Sequence, residues 1–200
     1  MMNKQTSYIF QSLKKKDLKA LTQIHLKSLP DDILSQFPEY ILERTVFENL
    51  MSKDNIFFGA FSSDMKLVAY IIFSKENDIL KNVLLKEFTA FIQMLLKGIF
   101  FRPRQFWFYF GIFKTVLTKF DDDGFELCYI GVGPDSQGAG LGTLLLKNVY
   151  DSFPILNTDR TWVKTLESTP QNVEFYKKNN FQIFKQQHGR VYLERLIQNG

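Results

Sequence analysis

The chain has 200 residues, of which 45% are hydrophobic and 23% charged, with a formal net charge of +4. That is the balance of a globular domain rather than a disordered or collagen-like chain, and it predicts one domain over residues 1–200 with a core of its own. No run of five like charges occurs, which argues against a nucleic-acid partner, and no uncharged apolar run reaches the roughly 18 residues of a membrane span, which argues against an integral membrane protein.

Taken in chain order, residues 8–13 read as a short strand. A helix follows with Leu18, Leu21, Ile24 and His25 on one side, and a second after Pro38 carries Ile41, Arg44, Phe47 and Leu50 at helical spacing. The apolar runs 56–61 and 67–73 flank Ser62-Ser63-Asp64-Met65-Lys66, the pattern of an antiparallel hairpin. Residues 125–132 form a buried strand that ends at Gly133-Pro134, and residues 143–150 a helix. Strand 162–167, a short helix 172–178 and two closing strands, 181–184 and 191–196, complete the chain. The fold class this order predicts is mixed α/β: a central sheet of about seven strands with helices on both faces. The single cysteine, Cys128, excludes an internal disulfide. With an N-terminus that lacks the apolar core of a signal peptide, it places the chain in the cytoplasm.

Residues 78–120 interrupt this order. Leu84, Phe88, Phe91, Leu95 and Ile99 fall at helical spacing, and Arg102-Pro103 then opens a second segment, 105–113, that is apolar all round. Three readings stay open: a helical pair packed on the sheet edge, a cap over a substrate pocket, or the surface of a homodimer. Too few lysines stand here for a membrane-surface helix.

The stretch Gln137-Gly138-Ala139-Gly140-Leu141-Gly142 sits between a strand and a helix. Glycines let backbone N–H groups approach a ligand closely, and the helix N-terminus adds partial positive charge, so the pattern fits a pyrophosphate. Its G-x-G-x-G spacing is not the G-x-G-x-x-G of a dinucleotide fold, and no Gly-Lys-Ser or Gly-Lys-Thr follows for a P-loop. The stretch resembles the Q/R-x-x-G-x-G signature of the GNAT superfamily of N-acetyltransferases. Tyr129-Ile130-Gly131-Val132-Gly133-Pro134 before it and Leu144-Leu145-Leu146 after it agree with that pattern. The later block from Leu166-Glu167 through Asn172 and Phe175-Tyr176 to Asn180-Phe181 is similar to the family's second conserved segment, closest to the branch containing puromycin N-acetyltransferase. Asn180 stands where the family usually has Gly, and Asn tolerates left-handed backbone angles.

The resemblance implies a GNAT-like fold and acetyl-CoA as co-substrate. Main-chain N–H groups of Gln137, Gly138, Ala139, Gly140, Leu141, Gly142 and Thr143 would hold the pyrophosphate. Ile130, Gly131 and Val132 would pair with the pantetheine arm, with the Val132 N–H on the thioester carbonyl, and Asn172 would touch the pantetheine or adenine side. Tyr176 matches the tyrosine that often protonates the leaving thiolate; a helix anchor is its other reading. Its ordinary pKa near 10 lies close to that of a thiol. Glu126, placed by strand alternation on one side with Cys128 and Ile130, is the base candidate, or else a salt-bridged strand residue. Glu167 is a candidate contact to the acceptor. His25 and His188 lack partners at metal-ligand spacing, so no metal is expected. Ser168 and Thr169 lack the surroundings of a nucleophile elbow, which favours direct transfer in a ternary complex. The expected acceptor is a primary amine of a small molecule, with a protein N-terminus or lysine, or acyl-CoA binding without catalysis, as the alternative readings.

Overall fold

Runs rich in Phe, Ile and Val form strands here because branched and aromatic side chains pack well on a pleated surface. A computed structural model describes residues 7–30, 32, 34–51, 55–75, 89 and 123–195. Among them are strands β1 (Ile9–Ser12), β2 (Ile56–Phe61), β3 (Leu67–Ser74), β4 (Phe125–Val132), β5 (Thr161–Leu166), β6 (Phe181–Gln187) and β7 (Arg190–Arg195). They join one sheet in the order β1-β2-β3-β4-β5-β7-β6. Every neighbouring pair is antiparallel except β4 and β5. The seven-stranded mixed sheet is the architecture predicted from the element order.

Helix α1 (Leu18–Ser28) and the compound helix α2 (residues 39–51) cover one face. There Leu21, Leu34, Ile41, Leu42 and Phe47 pack against Tyr70 and Ile72 of β3. Helices α3 (Leu141–Ser152), α4 (Ile155–Thr158) and α5 (Pro170–Lys178) lie on the other, where Leu145, Val149 and Val173 meet Ile71, Leu127 and Leu193. Leu145, Val149 and Leu193 are fully buried, and each such side chain contributes about 1.5–3 kcal/mol by leaving water. Among the described residues, no helix is long and apolar enough to cross a membrane. The expected helical insert at 78–120 lies outside the described residues.

Three local departures from the sequence reading have physical causes. Helix α2 contains a π turn, Leu42–Phe47, between the helical pieces Glu39–Ile41 and Glu48–Met51. Its buried stripe is Ile41, Leu42, Val46, Phe47 and Leu50, so the wider turn sends Arg44 into solvent. Strand β6 runs three residues further than its apolar pattern, because an edge strand with both faces mostly exposed needs no hydrophobic alternation. It returns through a two-residue turn at His188 and Gly189, φ 53° and 70°, the geometry that suits a tight hairpin. Asn180 adopts φ 67°, so it does replace glycine at the turn into β6.

The third departure alters the site. Ile72 pairs with Tyr129 and Phe73 with Leu127, which leaves Cys128 as an extra residue in β4. Beyond this bulge the alternation inverts. Cys128 and Tyr129 both pack on the α1 face, while Ile130 turns to the α3 face. Glu126, Cys128 and Ile130 therefore do not share one side, as simple alternation predicts.

Candidate active site

Strands β4 and β5 pair only at Phe125–Thr161 and Glu126–Trp162, after which they diverge. β5 keeps its other partner, β7, along its whole length from Thr161 to Leu166. The far half of β4 thus opens a cleft in the sheet. The Gly133 N–H donates to the Val68 carbonyl at 2.8 Å, and antiparallel strands turn alternate residues toward each neighbour. Tyr129 and Gly131 therefore address β3, whereas Ile130 and Val132 present their N–H and C=O groups to the cleft. Consistent with that, the Val132 carbonyl accepts a hydrogen bond from Gln137 Nε2 at 3.0 Å.

Gly131 is required by contact, since a Cβ there would collide with the Tyr70 ring and come 2.8 Å from Ser28 Oγ. The loop glycines answer to two different demands. Gly138 (φ +78°) and Gly140 (φ +72°) hold left-handed backbone, and a Cβ on either would meet no protein atom within 4 Å. Gly142 instead lets α3 approach α5, because a Cβ would lie 3.3 Å from the Phe175 ring. Gly140 is the N-cap of α3, and no side chain caps that end. The first N–H groups of this twelve-residue helix are thus left for an outside acceptor, with the partial positive charge of the helix terminus behind them. Ala139 is exposed in the loop and Leu141 buries its side chain, so each has its main chain to offer. Thr143 accepts from Asn179 Nδ2 at 3.4 Å, a tie between α3 and α5 that sequence reasoning missed. Asn172 is exposed, its amide 3.4 Å from both Thr165 Oγ1 and Thr169 Oγ1.

Tyr176 lies on α5, 8% exposed, with its ring edge-on to Phe175 and Phe181. Burial pushes its phenol far above the ordinary range, so it keeps its proton at every working pH. The near match to a thiol expected from the unperturbed value does not hold for this site without ligand.

Glu126 is 4% exposed, and Lys164 Nζ of β5 stands 2.7 Å from its carboxylate at the closed end of the cleft. Burial alone would lower the Lys164 pKa, but the attraction and hydrogen bond of Glu126 outweigh it, and the net shift is upward. The ion-paired alternative for Glu126 is what the structure displays. The Cys128 thiol is raised by burial and then by the Glu126 charge, which makes it inert. Glu167 is exposed at the end of β5, its N–H bonded to the Gly189 carbonyl. Lys164 was illegible in the sequence because 38 positions separate it from its partner.

His25 is fully buried, its Nδ1 2.6 Å from the Tyr70 hydroxyl and its ring edge-on to Tyr129 and Phe47. Among the described residues, no three His, Cys, Asp or Glu side chains gather as a metal site would require.

An uncapped helix terminus, left-handed glycines facing open space and a splayed strand with free amides fit the phosphate and pantetheine of a coenzyme A thioester. Known proteins bear on this geometry. The model of the Acetyltransferase (GNAT) family matches residues 18–181. No curated protein sequence matches the chain. Among solved structures, the ribosomal-protein-S18-alanine N-acetyltransferase of Escherichia coli superposes with a TM-score of 0.60 at 17% identity, covering 97% of this chain and 96% of its own. The PaiA N-acetyltransferase of Thermoplasma acidophilum, in complex with coenzyme A, gives 0.56 at 16% identity, over 94% and 98% of the two chains. A spermidine N-acetyltransferase chimera from Vibrio cholerae and hSSAT gives 0.57 at 13% identity, over 94% and 95%. At these identities the likeness is one of fold.

Proposed function

The chain belongs to the GNAT acetyltransferase family, and from that premise we propose that it transfers an acetyl group from acetyl-CoA directly to a primary amine of a small molecule. The observation that carries this reading is the cleft between β4 and β5, opening beside an uncapped, glycine-led helix. The N–H groups from Gly138 to Thr143 hold the pyrophosphate. The Gln137 N–H, expected to join them, is turned to the Pro134 carbonyl at 3.3 Å and its side chain to the Val132 carbonyl. Asn172 touches the pantetheine or adenine side. The N–H groups of Ile130 and Val132 meet the pantetheine amides and the thioester oxygen. Gly131 between them admits Tyr70, which fixes the strand.

The thioester supplies an activated acyl carbon when bound. Val132 N–H stabilises the negative charge that grows on its oxygen during attack. Tyr176 donates to the departing sulfur, a role that a phenol held protonated by burial can fill once the thiolate charge lies beside it. Glu126 accepts the amine proton after the acceptor displaces Lys164 from its carboxylate. The later motif's likeness to the puromycin N-acetyltransferase branch supports a small-molecule acceptor.

One neighbour supports a second reading. The E. coli protein named for alanine of ribosomal protein S18 shares the fold over nearly the whole chain, and by analogy the acceptor is a protein N-terminus. A thiol-release screen with acetyl-CoA separates the two, using amino sugars, aminonucleosides and polyamines in one set and alanine-initial peptides in the other. Turnover with a small amine and none with peptides supports the first reading; the reverse supports the second. Tight acetyl-CoA binding without turnover on either set would make the chain a non-catalytic acyl-CoA-binding domain.

A further inference from the structure

Three strands distribute charge across the face of the cleft that lies away from α3. Phe125 and Leu127 of β4, Val163 of β5, and Val191 and Leu193 of β7 all bury against the α3 face. Alternation therefore turns Glu126, Lys164 and Arg190 to the opposite face, away from the coenzyme loop. Lys164 is in register with Tyr192 and Leu166 with Arg190, so Lys164 and Arg190 are diagonal neighbours on β5 and β7. Such neighbours stand about 7–8 Å apart, within reach of long side chains. Both flank the open half of the cleft, because β4 leaves β5 after the Glu126–Trp162 pair.

Among the described residues, one carboxylate serves these two cations. Lys164 Nζ lies 2.7 Å from Glu126, with the lysine side chain 36% exposed and the glutamate 5%. Glu194, on the same face, is taken by Arg160 at 2.6 Å. No carboxylate of the described residues comes within ion-pair distance of half-buried Arg190. An acceptor ammonium that takes Glu126 upsets this arrangement. Burial and the nearby Arg190 charge both act to lower the Lys164 pKa, and the Glu126 charge is what outweighs them. Without that partner Lys164 is a partly desolvated cation with no counter-ion, which is costly. A plain amine thus adds a positive charge to a site that already holds an excess of one. An amine that brings its own anion leaves the balance as it was.

We propose that Lys164 and Arg190 together bind an oxyanion of the acceptor, whose chemical class is therefore a primary amine bearing a carboxylate or a phosphate. The ammonium seats on the Glu126 carboxylate, and the oxyanion takes the place which that carboxylate leaves at Lys164 Nζ. Arg190 closes on the same oxyanion from β7 with two parallel N–H groups, the fork geometry that fits carboxylate and phosphate alike. Each charge then has a partner in the ternary complex, and Lys164 stays protonated. Polyamines bring further positive charge to Lys164 and Arg190 and are turned away. This rests on the acetyl-transfer reading above and narrows its acceptor.

The test compares amines matched in length and basicity: 3-aminopropanol with β-alanine, and ethanolamine with ethanolamine phosphate, with spermidine as the polycation. In the wild-type protein kcat/KM is expected to be about 10–100-fold higher for the charged member of a pair, the worth of one charge-assisted hydrogen bond. The pair that shows it separates carboxylate from phosphate. Arg190→Gln should raise KM for that amine about tenfold, more than it lowers kcat, and bring the pair level. Arg190→Lys should restore part of the preference. Unchanged Tm and acetyl-CoA affinity show that neither variant has disturbed the fold. Uncharged amines or spermidine turning over as well as the charged ones would overturn the proposal and leave acetyl transfer standing. So would an anion preference that survives in Arg190→Gln, or turnover of neither charged amine. A wild type that binds no acetyl-CoA sinks the transfer reading itself, and this acceptor class with it.

Discussion

Replacing Gly140 with valine separates the coenzyme site from the fold. Gly140 holds φ +72°, where an L-residue costs about 1–2 kcal/mol, and a Cβ there meets nothing within 4 Å, so the cost is mainly backbone strain. For a chain of this size each kcal/mol shifts Tm by roughly 2–4 °C, so the variant should melt about 2–8 °C lower and still fold. Acetyl-CoA affinity should suffer far more. The isopropyl group stands in the open space over the loop, and relief of the left-handed strain turns neighbouring N–H groups away. Two lost charge-assisted hydrogen bonds at about 1.5–3 kcal/mol each weaken binding by roughly 10²–10⁴-fold. Gly142→Ala is the control. Its methyl lies 3.3 Å from the Phe175 ring, so it disturbs the α3–α5 contact and lowers Tm while leaving affinity within a few fold. Calorimetric titration with acetyl-CoA and thermal unfolding read both quantities. Unchanged affinity in Gly140→Val would refute the phosphate cradle.

Other outcomes follow from the buried groups. Tyr176→Phe keeps the ring packing against Phe175 and Phe181, so Tm and acetyl-CoA affinity should hold while kcat falls at least tenfold; an unchanged kcat would leave Tyr176 as a helix anchor. Burial raises the folded pKa of Tyr70 and Tyr176, so both stabilise the fold fully below about pH 10, the unfolded value. Above it the unfolded chain ionises first, and each tyrosine subtracts about 1.4 kcal/mol per pH unit. Denaturant melts from pH 9 to 11.5 should show that slope, shallower in Tyr70→Phe; a flat profile would mean these phenols are not buried. Leu145→Ala, at a fully buried position between α3 and the sheet, should cost about 2–5 kcal/mol in the same melts.

Much of this molecule was legible in its residues. Apolar runs marked the described strands, the order of elements implied the mixed sheet, and alternating glycines after a strand marked the left-handed, uncapped start of α3. What stayed hidden arises from single-residue geometry and long-range pairing. The bulge at Cys128 inserts one residue without changing composition, yet it flips Ile130 to the other face. The sequence cannot assign separate duties to Gly138, Gly140 and Gly142, because the ring that demands Gly142 is on another helix. The Glu126–Lys164 pair and the Asp32–His25–Tyr70 line each join side chains from separate elements, so spacing along the chain carries no trace of them. The π turn hid for a related reason: Arg44 sits at helical spacing from Ile41 and Phe47, and only packing reveals the wider turn.

The central claim is direct transfer from acetyl-CoA to an amine, and initial-rate kinetics with the best amine of the acceptor screen test it most directly. Varying acetyl-CoA at several amine concentrations should give intersecting double-reciprocal lines, with one CoA thiol released per amide formed. Parallel lines with an acetylated protein intermediate, or no thiol release with any amine, would contradict it.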